Sequence, residues 1–123
     1  MIFGVGCDIV EIERFARLDE RFFEKHFTEK ECEMFEKKRY AGETIAANFA
    51  AKEAFSKALG TGVRGFSLCE VEVLRDDLGK PYINVYGRAQ EVCKNLGIGN
   101  IFLSLSHSKE TAMAYVIAEK EQE

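Results

Sequence analysis

The sequence predicts an α+β fold, a small antiparallel sheet packed with a long central helix and shorter helices. Three observations carry this. The chain opens on an apolar strand pattern; the rest of its first half shows helical spacing with cap signals; its second half switches to two-residue alternation broken by turns. With 123 residues, 46% of them apolar, the chain can bury a real core. It reads as a single domain over residues 1–123, because proline occurs once and no low-complexity linker or repeat divides it.

Residues 2–8 read as a short apolar strand holding two glycines and closed by Asp8. A helical stretch follows from about Glu11, with Ile12, Phe15, Ala16 and Leu18 on its apolar side. Asp19 is placed to restart a turn or two carrying Phe22, Phe23 and Phe27. Thr28-Glu-Lys-Glu31 is a capping-box pattern that opens another helix to about Lys38. The long helix spans about Gly42 to Leu59, with Ala46, Phe49, Ala50, Ala54, Phe55 and Ala58 as a closely packable face and Gly60 as its stop.

Beyond it, Cys69, Val71 and Val73 alternate with Glu70 and Glu72, a half-buried strand. Asp76 to Lys80 form a turn and Pro81 to Tyr86 the return strand of a hairpin. A short helix covers about Arg88 to Leu96, closed by Gly97. The strands Ile101–Ser106 and Thr111–Ala118 flank a loop from His107 to Glu110.

Composition excludes several classes. A net charge of −4 argues against general nucleic-acid binding, so an anionic partner needs a local basic patch. No run approaches the roughly 20 apolar residues of a membrane span, and the N-terminus lacks a signal-peptide pattern. A soluble, cytoplasmic protein is expected. Cys7, Cys32, Cys69 and Cys93 form no C-x-x-C pair and neither histidine lies near one, so zinc is not expected and the thiols read as buried or half-buried.

Glu53 and Lys57 are four residues apart on the long helix, hence on one face. Such a pair can hold a divalent metal and the phosphate it neutralises, or be a plain solvated helix pair. Asp8 is an unusual strand residue; it offers a carboxylate, or caps the helix after it. His107, in Ser104-Leu-Ser-His-Ser108, offers an anion contact or a turn histidine. Gly60-Thr-Gly62 could cradle a phosphate, but at a helix C-terminus it is by itself a stop and a turn. Arg14, Arg17, Arg21 and Lys25 would form one basic stripe on a continuous helix, or a mixed solvated face with the glutamates between them.

Three blocks together, Ile2 to Arg14, Phe49 to Gly62 and Leu103 to Glu110, with the turn Leu78-Gly-Lys-Pro81, resemble the holo-(acyl-carrier-protein) synthase family of the 4′-phosphopantetheinyl transferase superfamily. The resemblance implies an enzyme that moves 4′-phosphopantetheine from coenzyme A to a serine of apo acyl carrier protein. Adenosine 3′,5′-bisphosphate is the by-product, and the reaction supports fatty acid biosynthesis. It implies Asp8 and Glu53 as Mg²⁺ ligands, and Asp8, Glu53 and Lys57 as the catalytic set. Lys57, Gly60 and His107 go with coenzyme A, and Arg14, Arg17 and Arg21 with the acidic carrier. A homotrimer with sites between chains is also implied. The base that activates the carrier serine stays open among Asp8, Glu53 and a bound water. One position departs from the family: Asn48 stands where arginine is common, and the missing cation could come from Lys37, Lys38 or Arg39. A non-catalytic carrier-binding or coenzyme A-binding module is the rival reading, disfavoured because Asp8, Glu53, Lys57 and His107 occur together.

Overall fold

The computed structural model describes residues 1–61 and 65–122. Its first strand, β1 (Ile2–Glu11), is longer than expected. Asp8 does not close it but pairs in register with Ala114, because its side chain leaves the sheet face and costs the ladder nothing. The expected helix after Glu11 is only a 3₁₀ turn, Ile12–Phe15. A separate helix α1 (Glu20–His26) begins at Asp19, whose carboxylate accepts the Phe22 N–H at 2.9 Å. The basic residues from Arg14 to Lys25 therefore do not lie on one continuous helix.

Helix α2 (Glu29–Lys37) starts at the Thr28–Glu31 capping box. Arg39 and Tyr40, both left-handed, turn the chain into α3 (Gly42–Leu59), which ends at left-handed Gly60. Helix α3 is the centre of the fold. Its many alanines leave room for elements on several sides, and Ala46, Ala50, Ala51 and Ala54 are fully buried. Strand β1 lies directly on it: a side-chain carbon at Gly4 or Gly6 would collide with the carbonyl oxygens of Ala58 and Ala54.

Two antiparallel sheets replace the single one expected. Strands β4 (Ile98–His107) and β5 (Thr111–Lys120) join β1 in the order β1-β5-β4, while β2 (Val71–Arg75) and β3 (Pro81–Val85) form a separate hairpin, followed by α4 (Gly87–Leu96). The hairpin strand departs from simple alternation. Cys69 and Glu70 belong to a 3₁₀ turn, and Glu72 is buried with its neighbours Val71 and Val73. Glu72 stays charged there: burial pushes its pKa up, but hydrogen bonds from Thr28, Asn84 and Tyr86 prevail and hold it below the ordinary value.

A second buried polar network ties α2, α3 and β2 together. The Lys52 ammonium donates to Glu31 at 2.7 Å and to the carbonyls of Leu68 and Val71, with both side chains fully buried. Buried Asn48 donates to Glu31 and to the Val73 carbonyl. Among the cysteines, Cys93 is buried and Cys32 and Cys69 are half-buried, but Cys7 is exposed, because odd-numbered β1 residues face away from α3. No described helix is long and apolar enough to cross a membrane.

Candidate active site

Strand β1 and helix α3 build the site between them. Even-numbered β1 residues face α3, so the glycine contacts that seat the strand also aim Asp8 at the helix. There the Lys57 ammonium donates to Asp8 Oδ1 at 3.0 Å and to the Cys7 carbonyl at 3.1 Å. Lys57 is half-exposed, while the Asp8 side chain retains 17% of its surface.

Glu53, one turn before Lys57, is half-buried beside them. Its pKa is raised, first by burial and then by the Asp8 carboxylate, against the opposing pull of Lys57, His26 and Arg14. Two carboxylates that oppose each other's ionisation favour a cation between them. No cluster of three or more His, Cys, Asp or Glu side chains that could hold a metal occurs among the described residues. A dedicated protein cage is therefore absent there, but Mg²⁺ is commonly held by one or two carboxylates, with waters and substrate phosphates completing the shell. Asp8 and Glu53 fit that pattern.

Two further residues act on Glu53, of which His26 escaped the sequence reading of the site and Arg14 was read there only as part of the basic stripe. His26, from the end of α1, bonds the Phe22 carbonyl through Nδ1 at 2.9 Å and packs on the Phe22 ring with centroids 4.2 Å apart. The Asp19 cap sets the phase of α1, and it puts Phe22 and His26 on one face. Arg14 stacks over Phe15 and Phe49, 5.5 and 5.9 Å from their centroids, and so stands at the rim of the carboxylate site. Arg17 and Arg21 are exposed beyond it.

The remaining candidates lie elsewhere. Gly60 donates its amide to the Lys57 carbonyl at 3.0 Å and closes α3 in a left-handed turn; Gly62 lies outside the described residues. His107 is not in a loop but is the last residue of β4, exposed and within 3.3 Å of the Ser108 carbonyl. It pairs with Ala112 and Asp8 with Ala114, so the two are separated by strand β5, or about 10 Å across the sheet. His107 instead lines a cavity of about 200 Å³ with Thr44, Ala47 and Arg75. The cation that does reach position 48 is Arg75, which the sequence did not suggest: Arg75 Nη1 donates to Asn48 Oδ1 at 2.8 Å. A larger cavity of about 760 Å³, between α1, α2 and the start of α3, contains none of the candidate residues.

Comparison with known proteins gives a consistent result over nearly the whole chain. The model of the 4′-phosphopantetheinyl transferase superfamily matches residues 4–118. A holo-(acyl-carrier-protein) synthase from Clostridium botulinum is 52% identical over 122 residues, covering 97% of this chain and 98% of its own. The crystal structure of the synthase from Neisseria meningitidis superposes with a TM-score of 0.90 at 36% identity, over 98% of this chain and 100% of that one. The Bacillus anthracis synthase, solved with coenzyme A (3′,5′-ADP), gives a TM-score of 0.82 at 38% identity, over 98% and 99% of the two chains.

Proposed function

This chain belongs to the 4′-phosphopantetheinyl transferase superfamily, and from that membership we propose that it is a holo-(acyl-carrier-protein) synthase. It transfers 4′-phosphopantetheine from coenzyme A to a serine of apo acyl carrier protein, releasing adenosine 3′,5′-bisphosphate, and so supplies holo carrier for fatty acid biosynthesis. The observation that carries this reading is the Asp8–Glu53–Lys57 cluster, two carboxylates and an ammonium meeting where β1 crosses α3. Such a group suits a substrate that brings a diphosphate.

In this reading Asp8 and Glu53 hold Mg²⁺. The ion would screen the diphosphate and the charge that builds on the leaving bisphosphate. Lys57 turns from Asp8 to the phosphate oxygens, a short movement for a half-exposed side chain on a rigid helix. Arg14, Arg17 and Arg21 receive the acidic carrier. His26, which acts on Glu53, joins Asp8, Glu53 and a water as a candidate to accept the serine proton.

The active species is a homotrimer with the site shared between chains. Support comes from the sheet face opposite α3. Val5, Ile9, Phe102, Met113 and Tyr115 all stand on it, from 37% to 64% exposed. An apolar patch of that kind on a single sheet face marks a protein contact. Support also comes from His107, which is separated from its own chain's Asp8 by strand β5 and makes no direct contact with it.

The test is direct. Apo carrier incubated with this protein, coenzyme A and Mg²⁺ should gain the mass of one phosphopantetheine group at its serine, with one adenosine 3′,5′-bisphosphate released per carrier. Binding of both substrates without that mass gain would favour the non-catalytic module.

A further inference from the structure

Among the described residues Arg75 forms no ion pair, and the carboxylate that acts on it, Glu31, is already bonded to other groups. It ends β2 half-buried, its Nη1 bonded to Asn48 Oδ1 at 2.8 Å and 3.6 Å from the Met34 sulfur. The remaining guanidinium N–H groups have no acceptor among the described residues. The nearby Glu31 carboxylate already accepts from Lys52, Asn48 and the Thr28 amide. Burial disfavours a charge here, and lowers the Arg75 pKa, yet a guanidinium stays protonated at any ordinary pH.

Arg75 lines the cavity of about 200 Å³ that His107 also lines. Glu43 borders the same cavity and forms no ion pair with Arg75. Asn48 fixes the arrangement. Both Nδ2 hydrogens have acceptors, Glu31 and the Val73 carbonyl, so the amide cannot flip and Oδ1 must face Arg75. That contact fixes one end of the Arg75 guanidinium beside the cavity. A planar fork with free N–H groups matches the oxygens of a phosphate monoester better than the bridged, metal-screened oxygens of a diphosphate.

We propose that Arg75, positioned by Asn48, binds the ribose 3′-phosphate of coenzyme A and sets the preference of this enzyme for coenzyme A over its 3′-dephospho form. The inference takes the identity of the ligand from the transfer reading above. It assigns the diphosphate to the Asp8–Glu53–Lys57 end and the monoester to the cavity that Arg75 shares with His107. In a trimer the two residues travel together, so Arg75 serves whichever site His107 serves.

The experiment compares both donors with wild type and Arg75→Gln, which keeps a donor for Asn48 but removes the charge. The KM for coenzyme A should rise about tenfold or more, as expected for loss of a charge-assisted phosphate contact, with kcat nearly unchanged. The KM for 3′-dephospho-coenzyme A should not move. Arg75→Lys should recover part of the loss, and Asn48→Ala should reduce the same donor preference through its effect on Arg75. Equal losses with both donors, or no loss with either, would overturn the proposal. Calorimetry with adenosine 3′,5′-bisphosphate and adenosine 5′-monophosphate gives the same comparison without turnover, and thermal melting checks that each variant is folded. If wild type binds the bisphosphate more tightly through Arg75 but modifies no carrier, the transfer reading fails and this one stands.

Discussion

The Lys57 ammonium stands 3.0 Å from the Asp8 carboxylate, joining a helix to a strand across 49 residues of sequence. In the structure Lys57 neutralises Asp8. In the proposed reaction, coenzyme A and a cation would draw the carboxylate to the cation and the ammonium to phosphate.

Metal dependence follows. Chelation should abolish transfer and Mg²⁺ should restore it. Glu53→Gln should lose at least about a hundredfold in kcat/KM at ordinary Mg²⁺, while melting near the wild-type temperature, because glutamine keeps the size of the half-buried side chain and removes only its charge. Lys57→Met should also lose activity yet bind Mg²⁺ more tightly, since the competing ammonium is gone. Full turnover by Glu53→Gln would remove Glu53 from the metal site.

The raised pKa of Glu53 sets the pH response. Burial and the Asp8 carboxylate favour its protonated form, so without a cation its contribution to stability is greatest below the ordinary value of 4.5 and is lost as pH rises through the raised value. A cation needs the ionised form and reverses that loss. The gain in Tm from Mg²⁺ over chelator should therefore grow as pH rises through a point above 4.5, and more Mg²⁺ should move that point down. Melting curves across the acid range read this, and Glu53→Gln should flatten the dependence. A Mg²⁺ gain independent of pH in wild type would exclude Glu53 as the group responsible.

The sequence showed the site's parts better than their arrangement. The bounds of α3 were legible because its signals are local: an alanine-rich face and a glycine stop. So was the capping box at Thr28. The end of β1 was misjudged because Asp is a poor strand residue, whereas here Asp8 serves the helix across from it. The two glycines of β1 were visible but not their reason, the approach of the strand to the α3 carbonyls. Arg75 and the buried Glu31–Lys52–Asn48 network were missed, since nothing local in sequence links residues 17 to 27 positions apart. The Asn48 departure was noticed, but its partner comes from a hairpin whose docking no periodicity reveals.

The proposed carrier contacts should separate into two effects, because Arg14 acts on Glu53 while Arg17 and Arg21 do not. Arg17→Glu with Arg21→Glu should raise the carrier KM severalfold at low salt, with the loss shrinking as salt is added, and leave the coenzyme A KM unchanged. Arg14→Glu should in addition weaken the response to Mg²⁺, since it removes one of the charges that favour ionised Glu53. If the double variant leaves the carrier KM unmoved at low salt, Arg17 and Arg21 are a solvated face only.

A site shared between chains makes the sharpest prediction. Asp8, Glu53 and Lys57 converge within one chain, but His107 ends the strand at the far side of the sheet. If each chain supplies its histidine to the next, the contact is heterologous and closes only as a ring. Asp8→Ala and His107→Ala chains should each be nearly inactive alone. Mixed, unfolded and refolded together, they should recover part of the wild-type rate, because some interfaces then join an intact carboxylate cluster to an intact histidine. The recovered fraction should rise to a maximum near equal proportions and disappear when either variant is in large excess. Replacing Tyr115 or Phe102 on the open sheet face by a charged residue should yield monomers that bind carrier but transfer poorly. Mixtures that stay inactive despite subunit exchange verified by native mass spectrometry would disprove the shared site, as would a monomer by sedimentation that is fully active at the same concentration.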